Sequence, residues 1–272
     1  MTEKIRVGLV GSRLAAVFTG LLLALTVPAL AEWEGYERMT AASARAALAN
    51  PGHGARPDLS GRNFSALDLV GVDFRAANLS ASVFNGAHMN HAVLDHTNLT
   101  VAFLEGADLT GATLREATLF SIQAGGAVLK QADLSGARLI GDLRKADLSG
   151  AALTHVNAAA DMKNQSMGLM NTRLVGANAT GTDFSSSDFS RADMSFADLS
   201  GARLIGTRLE RVDLSGAKLA NADLTGANLQ DAQIIDTDFT HANLTNADFT
   251  GATFRGVIGL DSAITRGAKG LP

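Results

Sequence analysis

Three histidines, His88, His91 and His96, lie close together, and any metal centre in this cysteine-free chain would be built from such a cluster and from carboxylates. Asp183, Asp188, Asp193, Asp198, Asp213, Asp223, Asp238 and Asp248 are spaced by multiples of five. Paired carboxylates can divide the roles of general acid and general base, so this series is the second place to look for chemistry. Nucleophilic and phosphate chemistry have no anchor: there is no G-x-S-x-G, no G-x-x-x-x-G-K-[ST] and no H-E-x-x-H. Without cysteine there is neither a disulfide framework nor thiol chemistry. From Pro57 to Gly256 the chain carries 22 acidic and 15 basic residues, with no basic stripe. Such a surface repels phosphate and argues against direct nucleic-acid binding.

The elements that would have to position these residues follow from the spacing itself. From Leu174 to Phe254 every fifth residue is large and apolar apart from Ala179, and the residue two before it is Ala, Ser, Thr or Val. The lattice also runs from Leu59 to Leu139, broken only at Ala124. After Leu139 the centres are Leu143, Leu148 and Leu153, so one residue is dropped near Gly141. The pattern then fades from Thr154 to Thr172, where Met162 and Met167 are weak centres at best. Neither a helical period of about 3.6 nor a strand period of 2 places such a set on one side of a straight element. The chain must therefore turn a corner once per repeat.

Units such as Ala197-Asp198-Leu199-Ser200-Gly201, Ala222-Asp223-Leu224-Thr225-Gly226 and Ala247-Asp248-Phe249-Thr250-Gly251 resemble the pentapeptide-repeat family, A-(D/N)-(L/F)-(S/T)-G, over about three quarters of the chain. The resemblance implies an all-β fold, a right-handed parallel β-helix of square cross-section with four repeats per coil. Residues 57–256 then make about ten coils and a rod on the order of 48 Å long. Central Leu or Phe points inward and stacks on the residue twenty places away. Asp or Asn before it and Ser or Thr after it face water, and Gly at the fifth place takes the positive φ of a tight turn.

The N-terminus reads as an address. Lys4, Arg6 and Arg13 precede an apolar run from Leu14 to Leu30, and Ala29-Leu30-Ala31 is an A-x-A site before Glu32. The expectation is a signal peptide, residues 1–31, cleaved after Ala31, and a periplasmic or secreted protein with no stable membrane span after cleavage. Residues 32–56 follow as a linker and a helix from Arg38 to Asn50, whose weak apolar face is Met39, Ala42, Ala46 and Leu48-Ala49 and which caps the open first coil. At the other end, residues 257–272 form a tail in which Val257, Ile258, Leu260 and Ile264 fold over the last coil. Left exposed, Val257, Ile258 and Leu260 would serve an end-to-end homodimer.

Placed on the square lattice, the candidate residues disperse. His91 and His96 hold equivalent places on adjacent sides and point about a quarter-turn apart, and His88 holds a different place in its repeat. No metal or cofactor is assigned to them, and His53, His155 and His241 are isolated. Asp193 and Asp213 stack on adjacent coils as the carboxylates of a β-helix lyase do, but similar pairs recur along the rod, so no catalytic residue is assigned. The irregularities at Asp161–Asn171, with Lys163, Asn164, Gln165 and methionines out to Met170, and at Ala124, where Phe120 and Ile122 swing inward, are the remaining places where function can reside. The reading is a non-catalytic exported scaffold for an unidentified protein or envelope partner. Its alternatives are a DNA-mimicking regulator of an enzyme such as DNA gyrase, since some members of the family resemble a DNA duplex in width and charge, and a carbohydrate-active β-helix enzyme. Arg203, Arg208, Arg211 and Lys218 interrupt the acidic field that DNA mimicry requires.

Overall fold

The computed structural model describes residues 33, 35–49, 56–160 and 171–272. The chain divides into Met1–Gly35 and Tyr36–Pro272, and the second unit is the solenoid. Residues 1–31, expected to be a signal peptide, His53, and Asp161 to Met170 lie outside the described residues.

Every amide of a regular repeat has a partner, and together these bonds define the coil. In the unit 197–201 the Asp198 N–H donates to Ala177 O of the preceding coil (2.9 Å). Leu199 and Gly201 donate to Lys218 O (2.7 Å) and Ala220 O (2.9 Å) of the following coil. Ala197 closes the corner on Met194 O (3.1 Å), and the fifth amide, that of Ser200, donates to Asp198 Oδ1 (3.1 Å). Repeated along the chain, this pattern produces parallel ladders such as Asp58, Asn78, Asn98, Thr118, Arg138, Asn157, Asp188, Arg208, Asn228, Asp248 and Lys269. Four such ladders make a four-sided, right-handed parallel β-helix. Most rungs are single bridges, and the longer strands are β1 (Glu37–Arg38), β2 (Arg62–Asn63), β3 (Thr118–Gln123), β4 (Arg138–Asp142), β5 (Gln233–Ile235) and β6 (Thr253–Arg255).

The core is the column of centres. Phe64, Phe74 and Phe84 are fully buried, with Phe64 and Phe84 stacked at 4.7 Å between centroids, and Phe184, Phe189, Phe239 and Phe249 are enclosed in the same way. Each regular repeat ends in a corner whose last residue takes φ > 0. Glycine fills that place at Gly201 and Gly216, but non-glycine residues from Ala66 to Asn246 adopt it too, with φ near +60°. The coil imposes a conformation on these corners that costs a non-glycine residue about 1 kcal/mol or more. Inward Ser and Thr have their own role: Ser82 donates to Leu59 O (2.8 Å), Thr182 to Leu148 O (2.7 Å) and Thr237 to Leu214 O (2.9 Å), so a buried hydroxyl is satisfied at each.

Several expectations need correction. The helix, α1 (Ala41–Ala49), begins at Ala41 and not at Arg38, because Arg38 belongs to β1 and pairs with Asn63 below the first coil. Thr40 caps it, accepting from Ser43 N–H (3.0 Å) while its own N–H donates to Ser43 Oγ (2.9 Å). That cap sets the helical phase so that Ala41, Ala44, Ala47 and Leu48 pack on the core, and Ala42 and Ala46 face out. The interruption is narrower than 154–172. Ala158 is a buried centre, its N–H bonded to Asp188 O (2.8 Å), and Thr172 is already an inward residue. The register jumps from Asp142 to Arg173, Asp147 to Asn178 and Asn157 to Asp188, a step of 31 where the regular coil takes 20.

The slip near Gly141 and the gap at Ala124 are one defect on two successive coils. Ile122 fills the space beside the small Ala124, and a Cβ on Gly141 would stand 2.3 Å from Ile122 O. Glycine and one residue fewer let the next coil pass over the larger side chain. Phe120 does not swing inward; it faces out, with the Arg138 guanidinium 5.4 Å above its ring.

The C-terminal residues extend the coil instead of folding over it; Val257 and Leu260 pack on the core, and Ile258 and Ile264 do not. Ile258 pairs with Asp238, Ile264 with Asn243 and Lys269 with Asp248, so the solenoid continues past Gly256 to Lys269. Ile258 and Ile264 occupy the outward place of their repeats and are each 57% exposed.

The inward and outward assignment makes a mutational prediction. Leu199→Asp puts a carboxylate into a fully buried apolar site and should cost more than about 3 kcal/mol, whereas Ser200→Asp should stay within about 0.5 kcal/mol. Thermal melts of the two variants check this, and equal melting temperatures would refute the assignment.

Candidate functional site

The structure keeps the three histidines apart. His91 sits at a corner and lies over Gly111 of the next coil, where a Cβ would stand 2.6 Å from its Nδ1. At the following corner His96 Nδ1 is 3.3 Å from Glu116 Oε2. His88 belongs to a ladder, beside Asp108. Each therefore meets the residue twenty places on and not another histidine. Among the described residues no group of three His, Asp or Glu is placed to hold a metal ion.

The aspartates form the ladders that the repeat requires, and their chemistry is directed back into the coil. Asp188, Asp193, Asp238 and Asp248 each accept the N–H and the hydroxyl of the Ser or Thr two residues on, at 2.5 to 3.1 Å. Asn takes the same role, as in Asn98 with Thr100 and Asn243 with Thr245. At two places where the ladder residue is neither Asp nor Asn, Phe103 and Thr113, the preceding coil supplies the acceptor: Glu105 N–H donates to Asn85 Oδ1 (3.1 Å) and Arg115 N–H to Asp95 Oδ1 (3.0 Å). Asp193 and Asp213 are ladder neighbours, as the repeat implies, and each Oδ1 is occupied by its own turn.

Cations alternate with these carboxylates. Arg203 lies 3.7 Å from Asp183, Arg208 3.5 Å from Asp188, Arg211 3.3 Å from Asp231 and Lys218 3.7 Å from Asp198. These pairs are largely exposed, and each is worth at most about 1 kcal/mol. A cleft of about 510 Å³ opens where α1 meets the first coils, lined by Arg45, Leu48, Val72, Asp73 and Arg75. Neither the histidines nor the Asp193–Asp213 pair lies in it. Among the described residues no helix is long and apolar enough to cross a membrane.

Hydrogen bonding lowers the pKa of several ladder carboxylates. The Thr250 hydroxyl, then its N–H and the Gln230 side chain, bring Asp248 down to about 2. Burial opposes ionisation of Asp108, Asp133, Asp147 and Asp198, but bonds from Thr110, Ser135, Ser149 and Ser200 outweigh it and all four are lowered. An unfolded Asp titrates near 3.9. The stability these carboxylates contribute is therefore complete above about pH 4 and lost as the pH falls toward 2. The melting temperature should change little between about pH 8 and 5 and drop from about pH 4 to 2; a melting temperature unchanged down to pH 2 would contradict the role assigned to the ladder.

The chain matches the family model described as pentapeptide repeats over residues 58–95, 87–121, 125–157, 169–206, 192–231, 207–246 and 222–258. No curated protein matches it. Among solved structures it is similar to HetL, a pentapeptide repeat protein involved in heterocyst differentiation regulation from the cyanobacterium Nostoc sp. strain PCC 7120. The identity is 31%, over 74% of this chain and 88% of that one, with a TM-score of 0.29. It is also similar to QnrB1, a plasmid-mediated fluoroquinolone resistance protein, at 18% identity over 76% of this chain and 92% of that one, with a TM-score of 0.40. A pentapeptide repeat protein from the Arabidopsis thaliana thylakoid lumen is 28% identical over 53% of this chain and 68% of that one, with a TM-score of 0.15. With repeat matches running from residue 58 to 258 on a coil whose ladders have the same period, the chain belongs to the pentapeptide-repeat family.

Proposed function

We propose that this protein is a non-catalytic scaffold of the bacterial periplasm or envelope, exported by its N-terminal segment, which presents the flat sides of the rod to a protein partner. The observation that carries the reading is the engagement of the ladder carboxylates. With each Oδ1 of Asp188, Asp193, Asp238 and Asp248 held by its own turn, the acidic series serves the coil, and the sides remain as regular surfaces for contact. Export is supported by Lys4, Arg6 and Arg13, the apolar run from Leu14 to Leu30 and the A-x-A site at Ala29–Ala31.

Mimicry of DNA calls for an uninterrupted anionic face. Arg203 stands between Asp183 and Asp223 on one ladder, and Lys218 between Asp198 and Asp238 on another, which weighs against that alternative. Cell fractionation with N-terminal sequencing tests export directly. A chain beginning at Glu32 in the periplasmic fraction or the medium is expected; a full-length chain confined to the cytosol would overturn the export reading and favour an intracellular partner.

A further inference from the structure

Corner side chains that are not glycine fold over the corner of the next coil: Asp231 over Gly251, Asp236 over Gly256 and Phe196 over Gly216. For a polar group this is a comfortable surface position, but for Phe196 it is not. Phe196 is 69% exposed, the highest value among the exposed large apolar residues described, and holds φ at +58°, where a bulky side chain is an outlier. A Cβ on Gly216 would stand 2.6 Å from its Cδ1 and 2.7 Å from its Cε1. The ring thus rests against the Gly216 corner with its outer side in water. The fold draws nothing from this arrangement, since glycine serves the corners one coil before and after, at Gly176 and Gly216, without strain. Other non-glycine corners, Val101 among them, hold the same φ, so what sets Phe196 apart is the large aromatic ring held in water, which is a mark of a contact residue.

The surroundings of the ring select its partner. Asp193 and Asp213 stand on the side that enters this corner, Asp198 and Asp238 on the side that leaves it, and Asp236 at the same corner two coils on. Asp198 is paired with Lys218, but among the described residues Asp193, Asp213, Asp236 and Asp238 make no ion pair. We propose that Phe196 is the anchor of a docking surface for an arginine-bearing segment of a protein partner. The guanidinium stacks on the outer face of the ring, and Asp193 and Asp213, whose Oδ1 atoms are held by their own turns, accept its N–H groups through Oδ2. The inference rests on reading the rod as an interaction scaffold and gives that scaffold a place and a partner chemistry.

The test is a titration of the purified protein with a fluorescent tetra-arginine peptide at about 0.15 M salt, read by anisotropy. Phe196→Ala should weaken binding about three- to fivefold. Val101→Ala, at another exposed apolar corner, should leave binding unchanged, and a tetra-glutamate peptide should not bind. The Phe196→Ala and Phe196→Gly variants should melt at or above the wild-type temperature, because the ring does not support the fold. Equal binding by wild type and Phe196→Ala, a melting temperature lowered in both variants, or tighter binding of a neutral N-acetylglucosamine oligomer than of the arginine peptide would each overturn the proposal. None of these outcomes depends on where the protein resides, so a failed export test and a failed docking test are separable.

Discussion

The parallel backbone ladder between successive coils is the interaction on which the rest of this molecule depends. Each repeat donates one N–H to the coil before it and two to the coil after it, so the register of one coil fixes the next. In the regular repeat the remaining two amides are satisfied locally, one by the corner turn and one by the side chain of an Asp or Asn at the ladder position. The repeat is the solution to that requirement. A small residue fits inside the corner, a large one fills the tube, an Asp or Asn caps the amide two places on, and the fifth residue tolerates φ > 0.

The same constraint shows how the coil accommodates irregularity. A repeat can be altered only if the ladder recovers its phase, so the change at one coil must be answered by the coil stacked on it. Ile122, Ala124 and Gly141 form such an answer: a large residue in the corner, a small one at the centre, and a shortened glycine turn above. The extra residues between Ala158 and Thr172 obey the same rule. Ala158 is the last buried centre before the interruption and Thr172 the first inward residue after it, and the Thr172 hydroxyl lies between Leu139 O (2.8 Å) and Ala158 O (2.9 Å), tying the two ends together.

Much of this was legible in the sequence because burial by a period of five is a strong signal. The column of Leu and Phe centres, the outward aspartates and the dispersal of His88, His91 and His96 all follow from it. What escaped was carried by weaker signals. Ala158 is a centre without a large side chain, so the repeat looked faded where the ladder was intact. Ile258 and Ile264 are apolar residues in outward places, and hydropathy alone drew them toward the core. The phase of α1 depends on the Thr40 cap and on β1, a pairing with Asn63 that local pattern does not reveal. Phe196 could have been found, since it is an aromatic at the fifth place of a repeat where glycine is the norm. Its position against Gly216 needed the structure.

The function we propose is one of surfaces, with the acidic ladder serving the fold and the departures from it available for recognition. All of this rests on the register, and the most exacting point is the step across the interruption. Because the protein has no native cysteine, a pair of introduced cysteines reports register without competition. Ladder partners about 4.8 Å apart suit a disulfide. Oxidation of the Asp142→Cys/Arg173→Cys double variant should give an intramolecular disulfide in high yield, as the pairing of Asp142 with Arg173 requires. A disulfide formed by Asp142→Cys/Met162→Cys, as an uninterrupted step of twenty residues would demand, with none formed between positions 142 and 173, would contradict the account.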